Sequence, residues 1–127
     1  RVKTLATQWH TFLEASAKAA ADPAARAVFD AHRVLAALAL QQPDLAVPAL
    51  EASARDFPKD YNPPARLARL HLTAGRVREA RASIDHALAL VYGPRRKRLV
   101  ELSGEIAAAE KKAADKATAK PTPNRAM

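Results

Sequence analysis

The chain has 127 residues, enough for one domain that buries a sizeable core. Apolar residues make up 49%, but aromatics are only 5% and glycines number three, so alanine-rich helix is favoured over sheet. Cysteine is absent, which excludes disulfides, thiolate metal sites and cysteine nucleophiles; the net charge of +8 favours acidic partners without selecting among nucleic acid, anionic lipid and acidic peptide.

In chain order, Leu5, Trp9, Phe12, Leu13 and Ala20 recur at helical spacing, with Ser16 small enough to share their stripe. They predict a first helix over residues 3–21 with this face buried. Asp22-Pro23 reads as an N-cap followed by proline at the first helical position. It opens a second helix over 23–41, with Val28, Leu35 and Leu38 expected inward. Pro43-Asp44 breaks that helix and starts a third, to about residue 56, with Pro48 near its start where a missing N–H costs little. "FPKDYNPP" (57–64) is a proline-dense connector, in which Asn62 is expected to cap a fourth helix carrying Leu67, Leu70 and Ala74. Gly75 is its C-terminal stop. The fifth helix carries Val77, Ala80, Ile84, Ala87, Leu88 and Val91 and ends at Gly93-Pro94. A sixth starts near Arg95 with Leu99, Leu102 and Ile106 inward. Beyond residue 106 no large apolar residue appears until Met127, so a few turns of frayed helix and then a disordered basic tail are expected.

The fifth helix orders its core residues small, large, small: Ala80, Ile84, Ala87. Thirty-four residues earlier stand Ala46, Leu50 and Ser53 at the same spacings. "LARLHL" (67–72) likewise parallels "LAALAL" (35–40) at an offset of 32, as if the first turn were two residues shorter. Small residues let two helices of a hairpin approach, and large ones fill the gap to the next hairpin. A single hairpin cannot bury its apolar face, so such units stack.

Two helices per period of about 34 residues resemble tetratricopeptide repeats. The recognisable units cover roughly residues 27–58 and 61–94. Pro58 fits the family's closing proline, where the second copy has Tyr92. The family's early tryptophan position falls on Pro64, and on Asp30 or His32 in the first copy. Ala68 stands at its first-helix glycine and His71 at its usual tyrosine. The resemblance implies an all-α, right-handed stack of antiparallel helix hairpins, five or six helices in all. The expected organisation is an N-terminal packing helix over 1–26, repeats with a terminal helix over 27–106, and a tail over 107–127. Residues 56–99 also resemble the helical C-terminal segment of some bacterial thioredoxin-like proteins, through Asp60 to Pro64 and Tyr92 to Arg95. No Cys-x-x-Cys is present, so redox activity does not carry over, and that resemblance implies only an accessory module that once sat, or still sits, behind a catalytic domain.

His10, His32, His71 and His86 form no metal-ligand pair, and no glycine-rich phosphate loop or nucleophile motif occurs, so neither catalysis nor a cofactor is expected. The resemblance implies that ligands lie against the first helix of each unit. There Asn62, Arg66, Arg69 and Thr73 form one stripe, which Arg33 continues on the preceding first helix, suiting a protein or acidic-peptide partner through bidentate contact with carboxylates. The same stripe also reads as a solvated helix face. Arg95, Arg96, Lys97 and Arg98 form the densest cation run, an alternative site for nucleic acid or an anionic surface. They stand at a helix start, where the dipole disfavours cations. No apolar run reaches the roughly 18 residues needed to span a bilayer. The chain starts at Arg1 and not at Met, which leaves a leader or an upstream domain open and assigns neither cytoplasm nor periplasm.

Overall fold

A computed structural model describes residues 2–119. Seven α-helices succeed one another: α1 (Val2–Ala19), α2 (Pro23–Ala27), α3 (Asp30–Ala39), α4 (Val47–Asp56), α5 (Asn62–Thr73), α6 (Val77–Leu90) and α7 (Arg96–Ala119). Short 3-10 turns at Pro43–Leu45 and Gly93–Arg95 precede α4 and α7, and the described residues contain no strand. The helix expected over 23–41 is thus divided. Asp22 caps α2 as anticipated, its carboxylate accepting the Ala25 N–H at 2.8 Å. The chain then tightens at Val28-Phe29, where the Phe29 N–H bonds only three residues back, to the Arg26 carbonyl.

Val28 and Leu35, seven residues apart and so on one face, both point outward, contrary to expectation. The buried positions of α3 are instead Asp30, Val34, Ala36 and Ala37. In α1 the buried face is Ala6, Leu13 and Ala17, while Leu5, Trp9 and Phe12 stay exposed. In both helices the seam takes small side chains where backbones come close, whereas sequence periodicity weights the large ones.

The later units follow the expected pattern. Ala46, Leu50 and Ser53 are all buried, as are Ala80, Ile84 and Ala87. One core cluster joins Val34 and Ala37 of α3 to Ala46, Leu50, Leu67 and Leu70. A second joins Ala68, Ala80, Ile84, Ala87 and Val91 to Leu99, Leu102 and Ile106 of α7. Each cluster spans two helices of one unit and the first helix of the next, so the units are held by a shared interior. In the second unit, three alanines (Ala68, Ala80, Ala87) let α5 and α6 run close together.

The turns fix the register. At the end of α3 the Gln41 N–H bonds to the Leu38 carbonyl and the Gln42 N–H to that of Ala37; at the end of α5 the Gly75 N–H bonds to Leu72 and the Arg76 N–H to His71. These are two Schellman caps 34 residues apart, each with a left-handed residue: Gln41 at φ 58° and Gly75 at φ 82°. Each lies five residues before the small residue of the next helix, Ala46 or Ala80. The two turns are therefore equal in length, and the offset of 32 read from the leucine runs is replaced by a uniform 34. In that register Val34 matches Ala68 and Ala36 matches Leu70, all four buried.

α7 runs helical to Ala119, well past Ile106. Arg81 of α6 anchors the extension by donating from Nε and Nη2 to the Glu110 carboxylate at 3.1 and 2.9 Å, and from Nη1 to the Ser103 hydroxyl at 2.9 Å. The tail expected beyond residue 119 lies outside the described residues.

Candidate partner-binding groove

The 34-residue register defines what the first helices of the units, α3, α5 and α7, present on their common outer side. On α5, Asn62, Arg66 and Arg69 are half-buried and Thr73 is exposed. Asn62 and Thr73 are eleven residues apart, which places them about 16 Å apart along the helix axis. They accordingly line different clefts.

At the N-terminal end of α5, an open cleft of about 550 Å³ is lined by Tyr61, Asn62 and Ala65 and, from the start of α7, by Pro94, Arg95, Arg98 and Leu99. Two helix N-termini border it, so backbone dipoles add to the guanidinium charge. Asn62 does not cap α5 as expected. Instead the Asp60 carboxylate accepts its backbone N–H at 2.9 Å and its side-chain amide at 3.0 Å. Arg95 donates to the Tyr61 hydroxyl at 3.2 Å. At the other end of α5, Thr73 and Gln41 meet in a cleft of about 540 Å³ with Gln42, Asp44 and Arg76.

The arginines divide into tethered and untethered. Arg33 is not a groove residue. It turns back to α1 and holds Glu14 in a bidentate pair at 2.8 and 2.7 Å, because in the true register it occupies the position of buried Leu67, facing the preceding helix. Arg69 does lie on the outer side, but it is locked in a bidentate pair with Glu105 of α7 at 3.0 Å, which holds the Glu105 carboxyl below the usual carboxylate range. Arg66 and Arg98 have no hydrogen-bond or ion-pair partner among the described residues. Register also brings His32 and Leu35 of α3 onto the side occupied by Arg66 and Arg69. Sequence inspection missed both, and the signal that finds them is the left-handed pair Gln41 and Gly75, which fixes the offset.

The cation run does not form one surface. Arg95 and Arg98 border the cleft, whereas Arg96 turns back and donates to the Leu88 carbonyl of α6 at 3.1 Å. A cation that would be unfavourable at the start of its own helix thus serves the carbonyl end of another. The histidines are dispersed as well. His32 packs edge-on against Trp9 with ring centroids 5.8 Å apart. His71 accepts from Arg76 Nε at 3.0 Å, and burial together with that neighbouring charge lowers its pKa. No cluster of three metal-ligating side chains occurs among the described residues.

Successive helix pairs sharing one core, with polar side chains gathered on the outer side of the first helices, define a helical-repeat protein. Residues 37–102 match the tetratricopeptide repeat family, and the chain belongs to it. No curated protein and no solved structure matches it significantly. Repeats of this family typically act as scaffolds for contact between proteins. No described helix is long and apolar enough to cross a membrane.

Proposed function

We propose that the chain is a non-catalytic interaction module, an accessory part of a larger bacterial protein, that holds an acidic segment of a protein partner. The observation that carries this reading is the cleft between the N-termini of α5 and α7, where Arg98 is untethered and Asn62 and Arg95 supply further donors. Arg66, one turn along α5 from Asn62, extends the same charge. The cleft is open and bordered by Arg95 and Arg98, so an extended chain with carboxylates fits it better than a compact apolar ligand does. The accessory role draws on the resemblance of the Asp60 to Pro64 and Tyr92 to Arg95 segments, of which Tyr61, Asn62, Pro94 and Arg95 line this cleft.

The test is fluorescence anisotropy with a synthetic Asp/Glu-rich peptide. Arg66→Ala with Arg98→Ala is expected to weaken binding about tenfold or more, on the scale of one or two charge-assisted hydrogen bonds. Arg55→Ala with Arg78→Ala, on α4 and α6, is the matched control and should leave binding unchanged. Equal losses from both pairs would reduce the effect to general basicity. Tighter binding of duplex DNA than of the peptide, with steep salt dependence, would replace a protein partner by nucleic acid.

A further inference from the structure

The two ends of the stack differ. Beyond the last core cluster, the exposed surface of α7 carries Lys97, Glu101, Lys111 and Asp115. This is the polar outer face that closes a solenoid. The first helix is the reverse. Val2, Leu5, Trp9 and Phe12 fall on one stripe of α1, at spacings of three, four and three, and are 74, 60, 37 and 64% exposed. The stripe lies beside the seam that packs on α3 (Ala6, Leu13, Ala17), and its flank carries Gln8 and Ala15. The charged and titratable residues of α1 (Lys3, His10, Glu14, Lys18) lie elsewhere around the helix. In a chain with 27% charged residues, five turns of helix present an uncharged apolar side. Among the described residues, only His32 of α3 is seen in ring contact with this stripe, through Trp9.

We propose that this face is covered by the same face of a second copy of the chain, α1 against α1 about a two-fold axis. Two observations select that occupant. The face has no charge, so it can meet itself, whereas the surface of a chain with net charge +8 otherwise repels a copy. Head-to-tail stacking would seat the apolar stripe on the charged outer side of α7, which buries those charges unpaired. The four residues expose on the order of 450 Å², within the range of the largest apolar patch a monomer carries. With their uncharged flank they approach the roughly 800 Å² per partner of a standard interface.

Sedimentation equilibrium of the whole 127-residue chain tests this, with the emission of its single tryptophan, Trp9, as a second readout. The mass should climb from 13.7 kDa towards twice that value as concentration rises through the micromolar range, with Trp9 emission moving to the blue in step. Leu5→Glu and Phe12→Glu should each lower the association constant about tenfold or more. Their circular dichroism should be unchanged, because neither side chain belongs to the seam on α3. Val100→Glu, on exposed α7, should not alter association. A mass that stays at 13.7 kDa throughout, or a dimer indifferent to both α1 variants, overturns the proposal.

Discussion

Gly75 and Gln41 occupy the same position of successive repeats, and exchanging their side-chain character should move stability in opposite directions. Gly75 sits at φ +82°, and a Cβ added there would meet nothing within 4 Å. Gly75→Ala is therefore free of steric clash with the surroundings, and its cost is the backbone's own. A left-handed conformation costs a non-glycine residue about 1–2 kcal/mol. Restricting the unfolded chain by replacing glycine returns about 0.4–1 kcal/mol. The net expectation is a loss of roughly 0.5–1 kcal/mol for Gly75→Ala, and a gain of similar size for Gln41→Gly, which relieves Gln41 at φ 58°. For a chain of this length the shifts should be about 2–5 °C in Tm, downward for the first variant and upward for the second. Thermal melts followed by circular dichroism measure them, and urea melts with an unchanged m-value confirm that the cooperative unit is the same. A neutral Gly75→Ala together with a destabilising Gln41→Gly would refute the 34-residue register, since the two turns would then not be equivalent.

Ala80 has no exposed surface and sits among Ala68, Ile84 and Ala87, so Ala80→Leu should overpack the α5–α6 seam and cost about 1–3 kcal/mol by urea titration. Ile84→Ala, at the centre of the same cluster, should cost about 2–5 kcal/mol through the cavity it leaves. Asp30 is buried with Oδ1 unpartnered and Oδ2 accepting from the Ser53 hydroxyl at 2.6 Å, and burial raises its pKa despite that hydrogen bond. A carboxyl whose folded pKa is raised favours the fold below its unfolded value and loses that contribution as pH rises through the folded value. Tm measured from acid to neutral pH should accordingly show Asp30→Asn gaining on the wild-type chain as pH increases, and a gap independent of pH would contradict the reading. Arg81→Ala should release the far part of α7, seen as faster amide hydrogen exchange over residues 107–118 with little change over 99–106.

Much of the fold was legible because several of its signals are local. Asp22-Pro23 and Gly75 each act through the adjacent backbone, and the spacings within 46–53 and 80–87 survive in any tertiary setting. What failed was phase. The seam of α3 runs through Asp30, Val34 and Ala37, which leaves Leu35 outside, and nothing in the residue types there announces it. The leucine and alanine runs 35–40 and 67–72 align at several offsets with equal apolar merit, so composition could not choose between 32 and 34. A residue at positive φ chooses, but Gln41 is an unusual one and is invisible by type. The groove was only partly readable for a related reason. An arginine's role depends on whether an acid on another helix reaches it, and Glu14, Glu105 and Glu110 lie 19, 36 and 29 residues from their partners Arg33, Arg69 and Arg81.

Those long-range pairs bear on why so basic a chain leaves so few untethered cations near its groove. Arg33 joins α3 to α1, Arg69 joins α5 to α7, Arg81 joins α6 to α7, and Arg76 joins the second unit to Asp44 of the first. Each connects elements of successive units, at their edges and not in the apolar interior. Solvent screens pairs of this kind, so they are a minor part of stability beside Leu50, Leu70, Ile84 and Ile106, which are fully buried. Their value lies in discrimination. An interface of leucines and alanines tolerates sliding by a turn, since apolar contact is non-directional. A bidentate guanidinium–carboxylate pair does not, because both hydrogen bonds need one geometry. The expectation is that removing Arg69 and Glu105 together barely moves Tm, while Glu105→Lys, which keeps the helix but opposes two cations across α5 and α7, costs more than the double removal. A double-mutant cycle on this pair measures the difference. Equal costs would mean that the pair neither holds nor reports the seating of α7, and that the apolar seam alone sets where one unit rests on the next.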